Sequence, residues 1–186
     1  MLLGAALLGA ALAPVIGGVV GHRLAERRWS QVLITPFAER RVDAAPTGDL
    51  FRPVDGLDFK LTVPRLAYSE VVREGTGWET LALGPGHCPG TAWPGQPGDV
   101  GVAGPPVYWL RFAELRSGDE ILLEARYGVF RYVVTGSAVA FPDASWILRP
   151  APERQLTLTS PWPAWAGELA TRRLVVFARQ ETRAAL

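Results

Sequence analysis

Glycine and proline interrupt this chain so often that they leave little room for long helices. With 20 glycines and 16 prolines in 186 residues, both above ordinary usage, the backbone must turn many times. Between the turns lie short runs with a period of two. Phe59–Leu66 sets Phe59, Leu61 and Val63 on one face and Lys60 and Thr62 on the other, with Pro64 marking an edge. Ser69–Arg73 continues as a second strand, and Gly98–Gly104 reads as a short buried strand bracketed by glycines. Ser117-Gly118-Asp119 turns into Glu120–Ala125, and Tyr127-Gly128 turns again into Val129–Thr135, where Phe130, Tyr132 and Val134 share a face. Those two runs predict a β-hairpin. Ala138–Phe141, Gln155–Ser160 and Arg173–Arg179 add three strands, and the apolar spacing of Tyr108–Leu115 predicts one or two helical turns. The pattern is all-β with one or two short helices, closed or nearly closed into a barrel.

Residues Met1–Gly21 differ in kind: they carry no charge and are almost wholly apolar. As a helix they reach about 31 Å, enough for a bilayer core of roughly 30 Å. Without a basic segment before it, this run reads as a transmembrane signal-anchor; Ala11-Leu12-Ala13 supplies the alternative of a cleavage site. Arg23, Arg27 and Arg28 follow directly and by charge favour the cytoplasmic side. His22 is read as an interfacial residue, and Trp29 is placed at the membrane interface. The expected organisation is an anchor over 1–21, a juxtamembrane linker over 22–58, a β-domain over 59–181 and a tail over 182–186.

Composition removes several classes of function. Nineteen Lys and Arg against eighteen Asp and Glu give no basic excess, so nucleic acid is not an expected partner. One cysteine forms no internal disulfide, and with two histidines it furnishes no Cys/His zinc site. No cofactor or metal is expected.

Several segments fall in a telling order. They are Leu83-Gly84-Pro85-Gly86-His87 with Pro89-Gly90-Thr91, then Gly95-Gln96-Pro97-Gly98-Asp99-Val100, then Gly104, then Leu115-Arg116-Ser117-Gly118-Asp119-Glu120-Ile121. Leu156-Thr157-Leu158-Thr159 and Arg173-Leu174-Val175-Val176-Phe177-Ala178 close the series. This ordered set resembles the sortases, in particular their class E branch, over about Leu61–Gln180. The resemblance implies an eight-stranded closed barrel on a membrane-anchored exterior enzyme, a transpeptidase using Cys, His and Arg. In that chemistry a thiolate attacks a peptide carbonyl, the histidine protonates the leaving amine, and the arginine steadies substrate and oxyanion.

Carried over by position, two of the three residues are missing. The family's cysteine position, after Leu-Thr-Leu-Thr-Ser, holds Pro161; its histidine position, after Ala103-Gly104, holds Pro105. Arg173 stands at the arginine position. Proline offers no nucleophile, no transferable proton and no backbone donor.

Substitutes are available on paper. Ser160 is the nearest hydroxyl, but alternation along a strand turns it away from where residue 161 points. His87 and Cys88 set an imidazole beside the lone thiol, although neighbours in extended chain diverge. Arg173 either pairs with an acid at a strand end or binds a peptide carboxylate or carbonyl. Trp109, Trp162 and Trp165 follow the two altered positions and either plug the old groove or line it for a peptide or sugar. The expectation is a single-pass membrane protein whose exterior sortase-like domain has lost transpeptidase chemistry and binds a peptide or a cell-surface protein. The competing readings are an enzyme with chemistry relocated to Cys88 or Ser160, and a structural relic with a filled groove.

Overall fold

Alternating apolar residues build the walls of the molecule. The computed structural model describes residues 23–33, 50–105, 109–144, 146–148 and 152–181. Eight strands run in chain order as β1 (Leu57–Val63), β2 (Tyr68–Glu74), β3 (Gly86–His87), β4 (Gly98–Ala103), β5 (Glu120–Ala125), β6 (Gly128–Ala140), β7 (Arg154–Trp162) and β8 (Arg172–Gln180). They close in the order β1-β2-β3-β4-β7-β8-β6-β5, with β5 pairing back onto β1. The pairs β2–β3 and β4–β7 are parallel and the others antiparallel. The ring is narrowest at β3, which joins β2 and β4 through two residue pairs on each side.

Every second residue points inward. Phe59, Leu61 and Val63 are fully buried, and they meet Val100, Val102, Ile121, Leu123, Phe130, Tyr132, Leu156 and Leu158 in one core. Full burial of each such side chain is worth about 1.5–3 kcal/mol, which makes this inner face the main source of stability.

The two strands expected at Val129–Thr135 and Ala138–Phe141 are one, β6, thirteen residues long. A bulge between Val134 and Gly136 shifts its register on β8. Before the bulge Val134 faces the main core; after it Ala140 joins an outer cluster with Ile147 and Val175. One extra residue has flipped the inward set to the outside.

Two short elements lie in the glycine-rich stretch between β2 and β4. Residues Trp78–Leu83 form a one-and-a-half-turn helix, and Gly86–His87 is β3. The helical turn expected over Tyr108–Leu115 is a 3-10 turn at Leu110–Glu114.

Residues 23–32 are helical, here α1, and the Trp78–Leu83 helix is α2. Ala25 and Trp29, one turn apart on α1, are 3% and 2% exposed and belong to the main core. Glu26 on the same helix meets Lys60 of β1 at 2.7 Å. So this part of the expected linker docks on the barrel, and Trp29 is a core residue where an interfacial one was expected. The physical reason is an i, i+4 apolar pair, which aims both side chains at one surface. Among the described residues no helix is long and apolar enough to cross a membrane, and the run 1–21 lies outside them.

Candidate functional site

Three strand ends lie side by side at one end of the barrel. In the β4–β7 register Ala103 sits opposite Thr159, and the Gly104 N–H donates to the Thr159 carbonyl at 2.8 Å. Across the next ladder Pro161 sits opposite Arg173. The positions that the sequence singles out, Pro105, Pro161 and Arg173, therefore gather at adjacent strand ends. Residues 106–108 lie outside the described part.

On the outer face of these strands runs a groove. Ala103 of β4, Thr159 of β7 and Arg173 of β8 form part of a cavity of 310 Å³. Leu81 of α2 walls one side, and Pro142, Ala144, Ile147 and Leu148 of the β6–β7 connection wall the other. Cys88 and Thr76 complete it. An adjoining cavity of 360 Å³ shares Leu148 and contains Asp99 and Thr91.

The polar groups in this groove are incompletely satisfied. Thr159 is 6% exposed, and its hydroxyl has no hydrogen-bond partner among the described residues. Arg173 is half-buried, and no carboxylate among the described residues pairs with it, whereas Arg65, Arg111 and Arg131 each have one. Its neighbour Arg172 lies instead over the Phe141 ring, 3.6 Å from the centroid. Asp99 accepts from the Thr157 hydroxyl at 2.8 Å through Oδ2, while its buried Oδ1 has no partner. Burial pushes the Asp99 carboxyl up to about 6, against the pull of the Thr157 hydrogen bond.

Cys88 opens into the same cavity as Arg173, but burial pushes its thiol up to about 11. The Arg173 charge and a hydrogen bond from the Ala103 backbone oppose that shift without cancelling it. His87 turns the other way. Its Nδ1 lies 2.8 Å from Asp58 Oδ2, and its Nε2 lies 3.0 Å from the Ala92 carbonyl and 3.1 Å from Thr91 Oγ1. Its ring packs edge-on against Phe59 and Trp93. Both ring nitrogens are thus engaged by groups other than the Cys88 thiol.

The remaining candidates sit outside the groove lining. Ser160 is 1% exposed and pairs with inward-facing Leu174, so it points to the barrel interior. Trp109 is 1% exposed in the main core, stacked on Phe112 at 4.2 Å, with its indole N–H donating to the Tyr68 hydroxyl at 2.8 Å. A side chain on Gly104 would meet the Trp109 ring at 2.0 Å, so the glycine makes room for it. Trp162 is half-buried against the core, and Trp165 is 84% exposed. Among the described residues no three of His, Cys, Asp and Glu gather into a metal site.

Four polar residues of the site escaped the sequence reading: Asp58, Asp99, Thr157 and Thr159. Alternation in Leu156-Thr157-Leu158-Thr159 does carry a signal for two of them, because the threonines must face away from the leucines.

Comparison with known proteins agrees with this architecture. The sortase domain family matches residues 61–181. Sortase D of Bacillus subtilis (strain 168) is 26% identical over 144 residues, 75% of this chain and 72% of that protein. Sortase E from Streptomyces avermitilis is 32% identical, with a TM-score of 0.60 over 70% of this chain and 91% of that one. The SrtA sortase from Actinomyces oris is 26% identical, with a TM-score of 0.66 over 76% and 88% of the two chains.

Proposed function

The chain belongs to the sortase family, and from that premise we propose that it binds a peptide in the groove along β4, β7 and β8 without transferring it. The observation that carries this reading is a mismatch at one end of the groove. A cavity with Arg173 and Thr159 remains, while the two neighbouring positions that transpeptidation needs are Pro105 and Pro161. A proline there neither attacks a carbonyl nor protonates a leaving amine. Binding needs only the cavity and its donors.

A second reading keeps catalysis and moves it to Cys88, and it draws support from the thiol's place in the same cavity. Against it stand the raised thiol pKa and a histidine whose ring is held by Asp58. Ser160 has less support, since it faces the core. A relic with a filled groove is disfavoured by the open cavity at Arg173 and by Trp109, which fills the barrel rather than the groove.

The proposal extends to location. The apolar run 1–21 anchors the chain in the cell membrane, with the barrel on the outside and a peptide or a cell-surface protein as partner. The charges at Arg23, Arg27 and Arg28 oppose that orientation, so tagging the C-terminus and testing protease access to it on intact cells tests this part directly.

For the groove, the full chain in detergent is incubated with a fluorogenic sorting-signal peptide and an amine acceptor. Saturable binding with no product is the expected result. Cleavage above that of an Arg173→Ala variant would overturn the non-catalytic reading.

A further inference from the structure

We infer that the groove recognises the free C-terminal carboxylate of a peptide, with Arg173 and Thr159 as its donors and apolar walls for the last side chains. This rests on the peptide-binding reading above and narrows it to one end of a chain.

The argument starts from what the cavity lacks. Its polar lining consists of Thr76, Cys88, Thr159 and Arg173, with no acidic side chain. Arg173 has no carboxylate partner among the described residues, and the buried Thr159 hydroxyl has no hydrogen-bond partner among them. Burying a donor unpaired is costly, so the groove is most stable when a ligand brings acceptors. A guanidinium fork is matched best by two coplanar oxygens carrying negative charge, which is a carboxylate. The walls next to it, Leu81, Pro142, Ile147 and Leu148, favour apolar side chains on the residues that bring that carboxylate in.

Two further features point to a chain end. Pro105 is buried just past β4 and Pro161 stands beside Arg173, and neither lines the cavity. Neither proline offers an N–H to a chain that runs on past Arg173, which suits a ligand that ends there. At the other end Asp99, with its unpartnered oxygen, lies opposite Gln155, six positions along β7 from the partner of Arg173. That is a span of about 20 Å, the reach of roughly six extended residues. Cationic at one end and acidic at the other, the face complements a short peptide with its C-terminus at Arg173 and a backbone N–H of its first residues donating to Asp99.

The probe is a pair of acetylated hexapeptides of alanine and leucine ending in leucine, one a free acid and the other its C-terminal amide, titrated into the full chain by NMR or polarisation. The acid should bind about ten-fold more tightly than the amide, the gap expected for one charge-assisted fork. Arg173→Gln should abolish that gap, and Thr159→Val should narrow it without lowering the melting temperature. Equal affinity for acid and amide would overturn the carboxylate inference and leave peptide binding standing. Failure of both peptides, and of the sorting-signal peptide, to bind at millimolar concentration would overturn the peptide-binding reading itself.

Discussion

Pro161 and Arg173 stand opposite each other across the β7–β8 ladder, one without a reactive atom and the other without an acidic partner among the described residues. Their pairing puts both side chains on the outer face of the barrel, the face that carries Ala103 and Thr159. The groove therefore carries a guanidinium directly across the ladder from a proline ring.

Cys88 should behave as an inert thiol. With a value near 11, its thiolate is about one part in ten thousand at pH 7, so alkylation should run far slower than for a free cysteine peptide. The rate should climb steadily from pH 8 to 10. Because the Arg173 charge lowers this thiol's pKa, Arg173→Gln should slow labelling further. Labelling with iodoacetamide, followed by mass spectrometry, checks both; fast modification of the wild type at pH 7 would revive Cys88 as a nucleophile.

Asp99 makes a pH-dependent contribution of definite sign. Its carboxyl titrates near 3.8 when unfolded and near 6 in the fold, so between those values the folded state binds more protons. Stability from this group is present below about 3.8 and is lost as pH rises through 6. An Asp99→Asn variant should remove that slope and, at pH 7, gain on the order of 1 kcal/mol. Urea melts of both proteins between pH 4 and 7.5 make the comparison; parallel curves across the range would contradict it.

Trp109 and Trp165 should separate cleanly on substitution. Trp109→Ala removes a fully buried ring, its stack on Phe112 and the donor to Tyr68, and should cost about 3–5 kcal/mol. Trp165→Ala, at an exposed site, should stay within about 0.5 kcal/mol. Chemical denaturation measures both. A mild Trp109→Ala would contradict the packing of Trp109 on Phe112 in the main core.

Much of this molecule is legible from period-two patterning alone, because a barrel wall obliges inward and outward residues to alternate. Phe59, Leu61, Val63 and the Leu156-to-Thr159 run announce themselves in that way, and both lie where expected. The expected number of strands, eight, also agrees with the fold, though for a different set: β6 is one bulged strand, and the two-residue β3 is too short to leave a pattern. The buried face of α1 is marked in the sequence by little more than one i, i+4 pair, Ala25 and Trp29, which no periodicity test over so short a stretch resolves. The gathering of Pro105, Pro161 and Arg173 followed from strand order once a fold was assumed. Thr159 and Asp99 did not, since an unsatisfied oxygen is a property of packing and leaves no mark in sequence.

Restoring one atom should not restore chemistry. Pro161→Cys would place a thiol on the outer face opposite Arg173, at the point where the family resemblance puts the nucleophile. A thiolate alone can attack, but the tetrahedral species then needs a proton delivered to the leaving amine, or it collapses back to the starting amide. Pro105, the residue at the matching end of β4, has none to give, and His87 is held by Asp58 with its ring turned into the barrel. Cys88, the other titratable group of the cavity, is itself a weak acid near 11. The single variant should therefore label with thiol reagents yet release no product from a fluorogenic sorting-signal peptide above the buffer rate. Labelling without turnover is the expected pair of results. Measurable turnover would show that a proton donor other than residue 105 serves this groove, and would overturn the assignment of Pro105 to the lost histidine.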